Sequence, residues 1–302
     1  MERNLFIINN YTNKVPDLDT FSKEVETVLD GGVRFAYIGG VNDYKGAIRQ
    51  AGESGEDIRV FACGGDGTLN SVIQEVIGFD NLSVTNFALG TGNDYLKRFD
   101  DPTKFRDIRE FSDVRESKVD IVRLNDMYSA NVVCYGLDAR VCKTYEKLRR
   151  YRLLRRIGYH IGCVISIIKG ITQGCTIELD DGYRYDGKLT LMCVCNNGWY
   201  GGSYHPAPEA NVKDGYLEVI ICKAISRLTM IRIIGKYKKG RRDEISRDII
   251  SCHRVRSLRV TSHGVAPFNL DGELVDLEDA EIEVLPQRMR FFYPASVKEI
   301  DP

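Results

Sequence analysis

The stretch Phe61-Ala62-Cys63-Gly64-Gly65-Asp66-Gly67-Thr68-Leu69-Asn70 limits the fold more than any other, because it must turn from strand to helix within a few residues. Residues 57–62, just upstream, are short, β-branched and apolar, the pattern of a buried strand. Downstream, 68–77 is rich in helix formers, with apolar residues at Leu69, Val72, Ile73, Val76 and Ile77. The glycines around Asp66 let the backbone take positive φ and come close to a ligand. The helix N-terminus that follows offers N–H groups and a partial positive charge, which suits phosphate. A carboxylate beside a phosphate site suits a hydrated Mg²⁺ that screens the repulsion, and Asp66 is placed for that. Leu89-Gly90-Thr91-Gly92-Asn93-Asp94, after the strand-like 84–89, repeats the design and supplies a second acid. Either loop alone reads equally as a glycine turn with an Asp helix cap; the repetition favours phosphate. Neither fits a Walker A or a Rossmann fingerprint.

At 302 residues the chain has room for two domains. Lys plus Arg (42) nearly balance Asp plus Glu (43), so no global field points to nucleic acid. Met1-Glu2-Arg3-Asn4 runs into a short apolar stretch without the longer apolar region and cleavage site of a signal peptide. No apolar run approaches the ~18 residues of a membrane span. The expectation is a cytoplasmic protein. Its nine cysteines mostly lie in apolar strands or helices without CxxC spacing. Buried, reduced thiols are therefore expected, Cys193 and Cys195 on one strand face.

Strand-like 5–9, helical 18–29, strand-like 33–38 and helical 44–53 precede the central strand, which implies parallel βαβ units. Ligands in such sheets sit at the carboxyl ends of strands, where Asn9, Asp66 and Asp94 fall. A helix over 95–99 would carry Lys97 and Arg98 toward the phosphates, or present them as a solvated basic pair. From about residue 119 the pattern becomes a mostly antiparallel β domain, with strands at 119–124, 128–135, 175–179, 188–195, 216–222, 258–261 and 280–285. Asn125-Asp126 and Asp181-Gly182 read as tight hairpins. The expected division is an α/β nucleotide-binding domain over 1–118, rejoined by 287–302, and a β-rich domain over 119–286. A helical insertion at about 145–171 interrupts the second domain. There Arg149, Arg150, Arg152, Arg155 and Arg156 precede an apolar stripe at Ile157, Ile161, Val164, Ile168 and Ile171. It reads either as an edge that docks on anionic lipid or as a packed helix with a solvated Arg face. The basic run 236–242 could share that surface.

The pair Gly-Gly-Asp-Gly-Thr and Gly-Thr-Gly-Asn-Asp resembles the catalytic domain of the diacylglycerol kinase and sphingosine kinase superfamily, in particular the soluble bacterial lipid kinases. Later motifs follow in the family's order. The resemblance implies ATP bound by Asn9, Gly64, Gly65, Asp66, Gly67, Thr68, Asn70, Thr91, Asn93 and Asp94, with Mg²⁺ on Asp66. It implies a catalytic Asp271 or Glu273, from Leu270-Asp271-Gly272-Glu273, in an interdomain cleft. It also implies a structural Mg²⁺ at the Asp214 carboxylate and the carbonyls of Asn211 and Tyr216, where a plain Asp-Gly turn is the other reading. The chain departs from the family at Asn9-Asn10-Tyr11-Thr12-Asn13-Lys14, where the usual Asn-Pro-x-Ser-Gly is lost. The expectation is an ATP-dependent kinase acting on a diacylglycerol-like lipid, in peripheral contact with anionic membrane and without nucleic acid; a homodimer is left open. The alternatives are a lipid-binding regulator with a decayed nucleotide loop and a kinase of NAD kinase type.

Overall fold

The computed structural model describes residues 2–11, 17–39, 43–148, 165 and 170–300. The chain divides into two compact units, Met1–Ile121 with Pro286–Asp301, and Val122–Leu285. The first unit alternates strand and helix: β1 (Glu2–Asn9), α1 (Leu18–Val28), β2 (Gly32–Ile38), α2 (Tyr44–Glu53), β3 (Ile58–Gly64), α3 (Asp66–Val76) and β4 (Leu82–Ala88). β2, β1, β3 and β4 lie side by side, every neighbouring pair parallel. β5 (Val114–Leu124) and β13 (Glu273–Pro294) carry the chain between the units. The end of β13 joins the sheet, with Arg290 and Phe291 parallel to Ser83 and Val84 of β4. Its core is aromatic. Phe6 stacks on Phe61 at 4.2 Å, and Phe292 meets Phe61 edge-on at 5.0 Å, contacts worth about 0.5–1.5 kcal/mol each beyond their burial.

α1 and α2 are capped by Asp17 and Asp43, whose carboxylates accept N–H bonds from their first turns. α3 starts at Gly65 with no side-chain cap. Its first N–H groups are thus left to something other than a neighbouring side chain. After β4 the expected helix over 95–99 is a short 3-10 helix, Asp94–Arg98.

The second unit is antiparallel. It comprises β6 (Met127–Ser129), β7 (Val132–Gly136), α4 (Leu137–Leu148), β8 (Gln173–Leu179), β9 (Arg184–Cys195), β10 (Leu217–Lys223), α5 (Arg227–Lys238), β11 (Ile250–Val255) and β12 (Ser257–Leu270), with the first part of β13. The order β11-β10-β9-β7-β12-β13 forms one path, and β8 pairs with both β9 and β12. β9 and β10 bury both faces. Leu189, Met192, Val194, Leu217, Val219 and Ile221 pack on one side, and Cys193, Cys195, Ile220 and Cys222 on the other against Tyr237 of α5. The cysteines expected to be buried and reduced are free thiols wherever described, only Cys252 being exposed. Burial holds the Cys193 thiol well above the usual range, and for Cys195 a hydrogen bond with Cys193, together with burial, does the same.

Asn125-Asp126 is a two-residue hairpin between Leu124 and Met127, with Asn125 at φ 49°. Asp181-Gly182 turns β8 into β9, Gly182 having φ 88°. Several elements differ from the pattern reading: β11 and α5 are additional, 128–135 divides into β6 and β7, α4 begins at Leu137 and not near residue 145, and 280–285 lies inside a strand that runs on to Pro294. The join is Pro286-Gln287, where Gln287 takes φ 50° and donates its N–H to Asp120 Oδ1 at 2.7 Å. The arginines at 149–156, most of the apolar stripe behind them, and Thr12, Asn13 and Lys14 lie outside the described residues. No helix among the described residues is long and apolar enough to cross a membrane.

Candidate active site

In the first unit the two glycine loops interlock. The N–H groups of Leu89 and Gly90 both donate to the Gly64 carbonyl, at 3.0 and 3.1 Å. A β-carbon on Gly90 would stand 2.4 Å from the Gly65 Cα and 2.8 Å from Asn93 Oδ1, so backbone meets backbone and only glycine fits. Asn93 takes φ 48°, a left-handed conformation that Asn tolerates. Its Nδ2 donates to the Gly90 carbonyl at 3.0 Å, while the buried Oδ1 has no hydrogen-bond partner. Beside Gly67 a β-carbon would meet only open space.

Asp66 joins the two loops. Its Oδ1 accepts the Asp94 N–H at 2.5 Å and the Tyr95 N–H at 3.5 Å. Its Oδ2 and Asp94 Oδ2 both lie within 4 Å of the point a β-carbon on Gly92 would occupy, at 2.7 and 3.7 Å. The two carboxylates therefore converge beside the uncapped start of α3. Lys97 Nζ pairs with Asp94 Oδ1 at 2.5 Å, while Thr91 is exposed at the loop tip. Arg98, expected near phosphate or in solvent, turns inward instead. Its guanidinium is 8% exposed, pairs with Glu299 at 3.1 Å and lies over the rings of Tyr95 and Phe99.

Asn9 and Thr68 brace the loops. Asn9 Nδ2 donates to Thr68 Oγ1 at 2.8 Å, and Asn9 Oδ1 accepts the Tyr11 N–H at 3.0 Å. Thr68 Oγ1 covers Gly64, where a β-carbon would lie 2.1 Å away. Asn70 is buried one turn into α3, its Oδ1 accepting from Gln74 Nε2 at 3.1 Å. A helix start without a side-chain cap, an acceptor without a donor and two neighbouring acids fit a polyphosphate carrying a divalent cation. Among the described residues no group of three or more His, Cys, Asp or Glu is arranged to hold a metal. A cation at Asp66 and Asp94 would complete its shell with phosphate oxygens and water.

In the second unit Asp271-Gly272 is the two-residue turn between β12 and β13, with φ of 49° and 101°. Positive φ at both central residues is the type I′ geometry that matches strand twist. The Asp271 carboxylate accepts three backbone N–H bonds, from Ala130 at 2.8 Å, Asn131 at 3.1 Å and Val132 at 2.9 Å. Burial pushes its pKa up, and those donors oppose the shift. Glu273 is exposed, and no described residue forms a hydrogen bond or ion pair with its carboxylate. The two acids that look alike in sequence are thus one anchor and one unengaged carboxylate.

The turn that Asp271 grips has further supports that spacing does not reveal. Asn196 Nδ2 donates to the Ala130 carbonyl and Asn197 Nδ2 to Asn131 Oδ1, both at 2.8 Å. Asn269 Oδ1 accepts the Gly272 N–H at 2.9 Å. The only hint in the sequence is the Asn196-Asn197 pair before a glycine. The Asp214 turn is separate in the chain. Asp214 Oδ1 accepts the Tyr216 N–H and Oδ2 accepts from Arg254, both at 2.9 Å, while Asn211 Oδ1 accepts the Lys213 N–H at 3.0 Å. A cation at Asp214 would share the carboxylate with the Arg254 guanidinium.

The family described as Diacylglycerol kinase catalytic domain matches residues 3–124, and the YegS C-terminal NAD kinase beta sandwich-like domain matches residues 131–293. A probable lipid kinase YegS-like protein of Shewanella frigidimarina is 26% identical over 248 residues, covering 78% of this chain and 76% of that protein. A diacylglycerol kinase of Mycobacterium tuberculosis is 25% identical over 265 residues, covering 85% of this chain and 83% of that one. Among solved structures, a putative diacylglycerol kinase from Bacillus anthracis shares the fold with a TM-score of 0.75 at 19% identity, covering 98% of each chain. An NAD kinase from Archaeoglobus fulgidus in complex with ATP superposes with a TM-score of 0.51 at 12% identity, covering 97% of this chain and 94% of that one.

Proposed function

The chain belongs to the lipid kinase family that joins a diacylglycerol kinase catalytic domain to a YegS C-terminal NAD kinase beta sandwich-like domain, and from that premise we propose that it transfers the γ-phosphate of ATP to the hydroxyl of a diacylglycerol-like lipid. The observation that carries this reading is the convergence of Asp66 and Asp94 beside the uncapped N-terminus of α3. The N–H groups there and along the Thr91–Asn93 loop bind phosphate oxygens, and the Asn93 Oδ1 accepts a donor from the nucleotide or its water. Asp66 and Asp94 would hold Mg²⁺, which would supply positive charge against the phosphates. Lys97 supplies a second positive charge that Asp94 keeps close.

On the acceptor side Asp271 is a positioning residue. Its three N–H bonds fasten the β12–β13 turn and fix where Glu273 begins its strand. Glu273 is the general base: its carboxylate takes the lipid hydroxyl proton as that oxygen forms its bond to the γ-phosphorus and the bond to ADP breaks. Such an acceptor brings the protein to a membrane surface, in peripheral contact with anionic lipid through the arginines at 149–156.

The test is incubation with labelled ATP, Mg²⁺ and a panel of lipid extracts, with NAD as a separate arm because its kinases share this fold. Label in a lipid that requires Mg²⁺ and is lost in Asp66→Asn supports the reading. Label in NAD alone, or no ATP binding by calorimetry, overturns it; the latter would make the protein a lipid-binding regulator.

A further inference from the structure

Among the described residues α5 (Arg227–Lys238) is held to the second unit by one face. Met230 packs with Leu137, Val141 and Ile171, while Tyr237 and the half-buried Ile233 pack beneath β9 and β10. Both ends are pinned. Ser226 caps the first turn through the Thr229 N–H, and the Lys238 carbonyl accepts the His205 N–H at 2.9 Å. Gly240, at φ 69°, leaves the helix against Pro208, where a β-carbon would stand 2.4 Å from Cγ. The helix therefore cannot roll, and its outer face is presented as it stands.

That outer face is apolar where a soluble surface helix is normally polar. Leu228 is 69% exposed, Ile231 65% and Ile234 37%, and these are half of the exposed large hydrophobic residues described in the chain. At 100° per residue Leu228, Ile231 and Gly235 form the ridge opposite Met230 and Tyr237. Arg227 and Lys238 flank it on one side, and Arg232 and Lys239 on the other. From residue 227 to 239 there is no carboxylate.

We propose that this face is a membrane-docking surface, lying in the plane of an anionic bilayer with Leu228 and Ile231 in the acyl boundary and Arg232 and Lys239 on the headgroups. An apolar ridge between two rows of cations is the composition that binds such an interface. A second copy packed ridge to ridge would set like charges against each other. A protein partner would need an acidic rim around an apolar groove. The proposal deepens the membrane contact stated above by naming a surface for it. Its test involves no turnover, so its failure and that of the kinase reading are separate results.

The experiment is flotation of the full chain with phosphatidylcholine vesicles and with vesicles containing phosphatidylglycerol, at low and high salt. Leu228→Gln with Ile231→Gln is expected to lower partitioning onto the anionic vesicles at least tenfold. Arg232→Gln with Lys239→Gln should lower it about fivefold per cation removed, on anionic vesicles only. Val265→Gln, an equally exposed apolar site on β12, should leave it unchanged. Ile231→Cys carrying an environment-sensitive dye should shift to the blue on anionic vesicles. Thermal melts should match the parent. Parental binding in the Leu228/Ile231 variant overturns the proposal, as does a parent that ignores anionic vesicles or an equal loss in Val265→Gln. Self-association abolished by the Leu228/Ile231 change, with vesicle binding untouched, would make a second copy the occupant and overturn it as well.

Discussion

Asp271→Asn and Glu273→Gln, a pair of isosteric changes two residues apart, should fail in different ways. At Asp271 one oxygen accepts from Ala130 and Asn131 and the other from Val132. An asparagine keeps one acceptor. With its oxygen toward Ala130 and Asn131, its NH₂ faces the N–H of the buried Val132, donor against donor. An unmet buried N–H costs about 1–3 kcal/mol, and turning two charge-assisted bonds into neutral ones removes about 1 kcal/mol more. The amide escapes the desolvation that pushes the Asp271 carboxyl up, which returns part of that loss. A net cost of about 2 kcal/mol remains, or a fall in Tm of roughly 4–8 °C for a unit of this size. Glu273→Gln touches an exposed carboxylate with no partner among the described residues and should change Tm by less than about 2 °C, since surface changes away from such features stay within about 0.5 kcal/mol. It should nonetheless lower phosphoryl transfer by about 10²–10⁴, the usual contribution of a general base, with ATP affinity unchanged. Circular-dichroism melts and a labelled-phosphate assay on both variants decide it. If Asp271→Asn melts with the parent yet is inactive while Glu273→Gln turns over, Asp271 is the base and the anchoring argument is refuted.

Asp66→Asn keeps Oδ1 for the Asp94 N–H, so it should fold normally but lose transfer by orders of magnitude, because a neutral amide is a poor Mg²⁺ ligand; near-parental turnover, or parental activity that survives a chelator, would remove the metal role. Gly90→Ala drives a methyl into the Gly65 backbone and should cost about 1–3 kcal/mol and weaken ATP binding in calorimetry; parental affinity would mean the loops do not act as one cradle. Asp138 carries a carboxyl whose pKa burial raises, next to Cys134 and Asn269. With its folded pKa above the unfolded value of about 3.9, its share of stability is present below that value and lost as pH rises through the folded pKa. Asp138→Asn should therefore gain Tm relative to the parent at neutral pH and little at pH near 4; a pH-independent difference would assign the loss elsewhere.

The sequence makes the glycine loops legible because consecutive residues build them: a phosphate cradle is a run of N–H groups, and Gly64 to Thr68 name it without help from afar. The alternation of 5–9, 33–38 and 57–62 with helical stretches likewise locates the parallel strands β1, β2 and β3. Long-range partners were not legible. Lys97 and Arg98 are adjacent and alike, yet one pairs with the local Asp94 and the other with Glu299 at the far end of the chain. Residues 280–285 read as a strand by themselves because Pro286 removes an N–H and Gln287 takes positive φ, a defect repaired by Asp120, which accepts the Gln287 N–H. α5 escaped because Leu228, Met230, Ile231, Ile233 and Ile234 put apolar residues around most of its circumference, so no single stripe marks it as a helix. Asp271 and Glu273 fall under the same rule. Nothing in Asp-Gly-Glu separates them, because a candidate base is told apart only by which carboxylate the fold leaves unengaged. That choice is made by the N–H groups of residues 130–132, more than a hundred positions earlier. A glycine loop can be read from its own residues, whereas a candidate base is marked out by what its neighbour is already holding.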